Sequence, residues 1–177
     1  MYKRGLLLIS FFSFLSFKAV TAQQIVSVKI LSQKGEILLP SDFKQMDINT
    51  ITLKYPNEGG RPNEVYTNDN SSVNLAFTHS IKKATASDIK KHADELIKIL
   101  KQRGLIIISQ SQEKINGKDF LMVEFNSKAL NGTLYNKMFF TALEGRLLIG
   151  SFNCTSAMEG QWKRKGHEII QSIKLLN

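Results

Sequence analysis

Between residues 105 and 155 four apolar stretches follow one another with a turn signal at each junction, and this region limits the folds open to the chain more than any other. Residues 105–115 meet Asn116-Gly117, residues 118–127 run to Asn131-Gly132, and residues 134–143 reverse at Glu144-Gly145 into residues 146–155. Asn-Gly is a strong hairpin signal, because the tightest turns between strands need positive φ at both central residues. The spacing predicts a four-stranded antiparallel meander. Its strands do not alternate apolar with polar: residues 106–108, 120–123, 138–140 and 147–149 offer apolar groups to both faces. A sheet with one wet face would alternate, so both faces require cover.

Two amphipathic helices are available to supply it. Thr85 and Asp88 form an N-terminal capping pair, and Gly104 supplies a stop for a helix over residues 86–103. Ile89, Ala93, Leu96, Ile97 and Leu100 make its apolar stripe, with Lys90, Lys91, Asp94, Lys98 and Lys101 on the other side. A second helix follows the meander, opened by Ser156 and Glu159 as a capping pair. It presents Trp162, Ile169, Ile170 and Ile173, and Gly166 permits close approach to the layer beneath. The expected architecture is α+β: an antiparallel β-sheet covered by helices on both faces, a three-layer α/β/α sandwich. The N-terminal half offers strand candidates at 25–31, 48–55, 64–67 and 73–78, and a helical turn at 41–46 after Pro40.

Residues 1–22 read as a secretory signal peptide. Lys3 and Arg4 precede an uncharged run over 5–17, and Val20-Thr21-Ala22 is a small-residue exit before Gln23. Lys18 ends the run short of the roughly 20 apolar residues that a membrane span needs. Export to the periplasm or the outside is therefore expected, with residues 23–177 forming a single domain. The chain carries 24 Lys plus Arg against 15 Asp plus Glu. Removing Lys3, Arg4 and Lys18 leaves 21 against 15, a balance of +6. The basic residues are dispersed in short clusters, at Lys82-Lys83, Lys90-Lys91 and 163–165. That distribution gives no basis for nucleic-acid binding and leaves weak contact with an anionic membrane surface open. Cys154 is the one cysteine, so no intramolecular disulfide can form. It shares a strand face with Leu148, Gly150 and Phe152, and a buried, inert thiol is expected.

The order of elements, with Lys54-Tyr55-Pro56, Arg61-Pro62, Val65-Tyr66-Thr67-Asn68, Val73-Asn74-Leu75-Ala76-Phe77, the turn at Leu130-Asn131-Gly132 and the closing Ser172-Ile173-Lys174, resembles the PsbP and Mog-type α/β/α sandwich, in particular uncharacterised bacterial exported members of the DcrB kind. The resemblance spans residues 47–175. It implies an accessory or binding protein and brings no catalytic motif with it. Fold alone does not fix function.

The chain contains no H-E-x-x-H, C-x-x-C, G-x-S-x-G or G-x-x-x-x-G-K-[ST] pattern. Its three histidines, His79, His92 and His167, are scattered, and His92 is expected on a solvated helix flank. No metal site and no cofactor are expected. Asp42, Glu58, Asp69 and Glu124 are carboxylates that folding alone could bring together. The loop over 56–70 is the candidate binding region, with Arg61, Tyr66, Asn68 and Asp69 as its contact residues, because polar side chains on a loop held by a sheet commonly carry binding. Asn70, Asn131 and Asn153 begin glycosylation sequons, and the Lys, Asn and Ile-rich composition, which looks bacterial, makes them incidental. The leading expectation is a non-catalytic exported accessory or binding protein whose partner is another envelope or secreted protein. The alternatives are a small periplasmic hydrolase or lipid-surface enzyme with a dispersed site, and a binder of anionic surfaces with its lysines gathered on one face.

Overall fold

The computed structural model describes residues 23–129 and 132–176, so the expected signal segment lies outside the described residues. Strands β1 (Ile25–Ile30) and β2 (Gly35–Pro40) form a hairpin. A second, larger sheet is built from β3 (Lys44–Gln45), β4 (Glu64–Thr67), β5 (Val73–Lys83), β6 (Ile107–Ile115), β7 (Lys118–Ala129), β8 (Gly132–Leu143) and β9 (Arg146–Thr155), in the order β3-β4-β5-β9-β8-β7-β6. Three helices accompany them: α1 (Ile48–Lys54), α2 (Ile89–Gln102) and α3 (Ser156–Gln171). The short β10 (Lys174–Leu175) joins the first hairpin as its third strand. All pairings among the described residues are antiparallel.

The meander forms as its turn signals require. Asn116 and Gly117 stand at φ 45° and 86°, and Glu144 and Gly145 at φ 50° and 69°. Both pairs take the left-handed backbone that joins twisted strands in two residues. Gly132, read from sequence as a turn residue, is already the first residue of β8 and pairs with Ala129. That difference matters, because it decides which residue stands directly opposite which across the two strands.

Alternate residues of the large sheet enter two different apolar clusters. Leu121, Val123 and Phe140 pack with Ile89, Ala93, Ile97 and Leu100 of α2. Phe120, Met122, Phe139 and Phe152 pack with Trp162, Ile169 and Ile170 of α3. The first hairpin joins the α3 cluster through Ile30, Ile37 and Leu39, so this side is covered by a helix and a small sheet together. Gly166 permits the closest approach of α3, for a Cβ there would sit 2.4 Å from the Phe152 ring.

Several local expectations are corrected. Residues 48–55 form α1 rather than a strand: Asp47 accepts a hydrogen bond from the Thr50 amide at 3.0 Å and from its hydroxyl at 2.6 Å, and this cap outweighs the strand preference of the β-branched residues that follow. Residues 41–46 are not a helical turn. Phe43 N–H donates to the Pro40 carbonyl, and the chain then enters β3 beside β4. Thr155, not Ser156, is the residue before α3, and no side chain caps that helix. The helix predicted over 86–103 begins with a 3-10 turn, Ala86–Asp88, in which Thr85 and Asp88 do form the capping box. Strand β2 is not among the expected strands, although its Ile37-Leu38-Leu39 lies between Gly35 and Pro40. Its hairpin turn uses Leu31, Ser32 and Gln33, all at positive φ, with the Leu31 and Ser32 amides donating to the Glu64 carboxylate at 2.8 and 3.1 Å.

Candidate functional site

Polar groups gather in a cleft of ≈ 680 Å³ between one face of α3, from Ser156 to His167, and the strands β7 and β8. Its floor is a cross-strand pair. Glu124 of β7 stands opposite Lys137 of β8, and the Lys137 Nζ lies 3.2 Å from the Glu124 Oε1. Both side chains are withdrawn from water, at 6% exposure for Lys137 and 14% for Glu124. On the far side the Lys137 Nζ lies 2.8 Å from His167 Nδ1. An ammonium can only donate, so Nδ1 accepts and the ring proton is assigned to Nε2, which faces Glu113 at 3.8 Å. From above, Lys163 of α3 lies 3.4 Å from Glu124 and 3.7 Å from Glu159, with its Nζ 4.9 Å from the centre of the Tyr135 ring.

These neighbours set the electrostatics. Burial pushes the Glu124 carboxyl up, but the adjacent Tyr135 phenol, Lys137 and Lys163 outweigh it and hold the group below its ordinary value. Burial and then the Glu124 charge push the Tyr135 phenol well above its ordinary value. Tyr135 is 1% exposed, and its hydroxyl makes no hydrogen bond of ordinary geometry among the described residues. Ser156 and Gly160, at the start of α3, complete that side of the cleft.

The loop residues expected to make contacts are differently placed. Tyr66 and Asn68 are buried, on β4 and just beyond it. The Tyr66 hydroxyl donates to the Lys29 carbonyl at 3.2 Å and so ties β4 to β1. Asn68 accepts from the Val73 amide at 3.0 Å and donates to Ser72 at 3.2 Å, closing the turn before β5. Arg61 is half-buried, and donates to the carbonyls of Tyr55 and Pro56. Asp69 is exposed and pairs with Lys44 at 2.8 Å. The four remain within one stretch of chain, but two of the side chains point inward.

The other candidate groups do not converge. Asp42 accepts from Gln23 at 2.7 Å, Asp69 faces Lys44, and Glu58 lies in the short 3-10 helix Glu58–Gly60; of the four named carboxylates only Glu124 enters the cleft. Among the described residues no group of three or more His, Cys, Asp or Glu could hold a metal ion. His79 Nε2 donates to the Leu143 carbonyl at 3.0 Å. The His92 side chain is 9% exposed rather than solvated, with Glu95 3.5 Å away. Cys154 is fully buried, and burial together with the Glu159 charge pushes its thiol up to about 11. The lysines on and beside α2 mingle with its acids: Lys90 pairs with Asp94 at 2.6 Å, and Lys82 of β5 with Glu95 at 3.2 Å. The Asn70 and Asn153 side chains are engaged by Ser72 and Asn74.

Lys137, Tyr135 and Lys163 were missed as site residues by sequence reasoning. A signal existed. The register that sets Ala129 opposite Gly132 also sets Glu124 opposite Lys137, two charges interrupting apolar strands.

No family model matches the chain, and no curated protein matches it. Solved structures do. The solution structure of cyanobacterial PsbP (CyanoP) from Synechocystis sp. PCC 6803 superposes with a TM-score of 0.63 at 13% identity, over 89% of this chain and 95% of that one. A crystal structure from Bacteroides thetaiotaomicron VPI-5482 superposes with a TM-score of 0.54 at 16% identity, over 88% of this chain and 50% of that longer one. LpqN of Mycobacterium tuberculosis, involved in cell envelope biogenesis, gives a TM-score of 0.49 at 11% identity, over 87% of this chain and 91% of that one. No helix among the described residues is long and apolar enough to cross a membrane. The strand order, the two helices packed on it and the superposition over nearly the full length of CyanoP agree: the chain has a PsbP-like fold.

Proposed function

We propose that the protein is exported and serves as a non-catalytic accessory protein that captures a partner or ligand at the α3 cleft, in a molecule whose large sheet is the middle of three layers. The observation that carries this reading is the Glu124–Lys137 pair, two charges largely withdrawn from water at the floor of an open cleft, with the buried Tyr135 hydroxyl close to Glu124. A buried ion pair is weak support for stability, since apolar replacement is often neutral or better, so its presence in a cleft favours recognition. The layered reading rests on the two clusters, each drawing alternate residues of β7 and β8 to a different helix.

Catalysis is the weaker reading. Ser156 lines the cleft, but His167 Nδ1 is occupied by Lys137 and so is not placed to activate it. The Cys154 thiol is buried and protonated at neutral pH.

Capture from an envelope fraction tests the proposal, with wild type, a Glu124→Leu/Lys137→Met variant and an Arg61→Ala/Asp69→Ala variant as baits. The cleft variant loses partners that the loop variant retains. Turnover found in a broad hydrolase screen, and abolished by the cleft variant, would overturn the non-catalytic reading; loss confined to the loop variant would move the contact surface to residues 56–70.

A further inference from the structure

Resting on the proposal that the cleft is the binding site, we infer that the group it binds is a carboxylate. The residues that line the cleft carry Lys137, Lys163 and Arg164 against Glu124 and Glu159, one cation in excess, with Glu168 outside the lining. Lys137 is committed to Glu124 and His167, but the two outer cations are not saturated. The Lys163 contacts, at 3.4 and 3.7 Å, are long compared with the ~2.7–2.9 Å of a charge-assisted hydrogen bond. Arg164 is 87% exposed and meets Glu168 only through Nε at 3.6 Å, which leaves the outer edge of its guanidinium open. That planar edge fits two carboxylate oxygens side by side.

Two further donors point the same way. The buried Tyr135 hydroxyl lies close to Glu124 without a hydrogen bond of ordinary geometry among the described residues, and its ring sits 4.9 Å beneath the Lys163 ammonium at the cleft. The sixteen-residue α3 starts at the cleft, and no side chain caps its first turn, whose amides and dipole favour an anion. Glu124 and Glu159 disfavour a dianion such as phosphate, because each added negative charge meets two fixed ones, whereas a single carboxylate matches the excess of one cation. The cleft volume falls within the roughly 300–1,000 Å³ of small-ligand sites. A carboxylate could arrive as a free small acid or on an acidic polypeptide segment.

Amide-resonance titrations of the purified protein separate these cases, with N-acetylglycine, an amidated tetraglutamate peptide and inorganic phosphate as probes. The carboxylate probes shift the resonances of Tyr135, Ser156 and Lys163, and phosphate does so at least about tenfold more weakly. Binding of N-acetylglycine and the peptide alike identifies a free acid as sufficient, while response to the peptide alone identifies a polypeptide side chain. Lys163→Gln/Arg164→Gln weakens either by at least about tenfold, and Lys98→Gln on α2 leaves both unchanged. The inference is overturned if no carboxylate probe binds, if phosphate binds as well, or if Lys98→Gln weakens binding as much as the cleft variant. Envelope capture that still depends on Glu124 and Lys137 in that event would leave the accessory function standing and remove only the carboxylate. Conversely, carboxylate binding at a cleft on which envelope capture does not depend would remove the function and keep the ligand.

Discussion

Lys137 and Glu124 are buried side by side where apolar residues would serve the sheet at least as well. Withdrawing each charge from water costs several kcal/mol, and the attraction between them recovers that only with good geometry. Lys137→Met alone strands the Glu124 carboxylate beside the more distant Lys163, and about 3 kcal/mol of stability is expected to be lost. The Glu124→Leu/Lys137→Met double variant should return to within about 1 kcal/mol of wild type in urea unfolding, because both charges leave together. A double variant as unstable as the single one would mean the pair is structural. Tyr66 shows the opposite case. Its hydroxyl, read from sequence as a contact group, is held between the Lys29 carbonyl and Glu64, and Glu64 in turn binds the left-handed turn amides of the first hairpin.

At the level of elements, α2 and α3 bury different amounts. Trp162 is 3% exposed, with its ring tilted against Phe43 at 5.5 Å between centres, while Leu96 is only partly buried beside its cluster. Trp162→Ala should therefore cost about 3–5 kcal/mol in chemical denaturation and Leu96→Ala clearly less, with Ile97→Ala the more damaging change on α2. The contrast also shows what periodicity can deliver. The stripe of α2 identified the right helix, but the apolar spacing alone does not say which stripe residue sits deepest. The meander was legible because Asn116-Gly117 and Glu144-Gly145 mark their own turns. The first hairpin was not, for its turn takes three non-glycine residues through positive φ and is held by Glu64, over thirty residues away. The strand reading of residues 48–55 failed for a related reason: Ile48, Thr50, Ile51 and Thr52 favour strands on average, and one capping aspartate reversed the outcome. The cleft stayed hidden because Gly132, read as a turn residue rather than as the first of β8, left Glu124 without its partner Lys137.

For the whole molecule, acid sensitivity follows from carboxylates held below their ordinary values. Asp47 and Asp88 are lowered by hydrogen bonds from Thr50 and Thr85, and Glu124 is lowered despite its burial. A carboxylate depressed in the folded state binds fewer protons there than in the unfolded chain, so its contribution is complete above the unfolded value of about 4 and is lost as pH falls through the folded one. Thermal midpoints should accordingly hold from neutrality down to about pH 5 and decline below about pH 4. Sheet order, helix cover and cleft position belong to one arrangement: one face of α3 seals the core through Trp162, Gly166, Ile169 and Ile170, while the adjoining face, with Glu159, Lys163 and His167, stands beside the charged strand residues. Hydrogen exchange of the protein with and without its captured partner tests the proposed binding surface most directly. Added protection is expected across the first turns of α3 and in β7 and β8 around Glu124 and Lys137; protection confined to residues 56–70 or to α2, with the cleft unchanged, would contradict it.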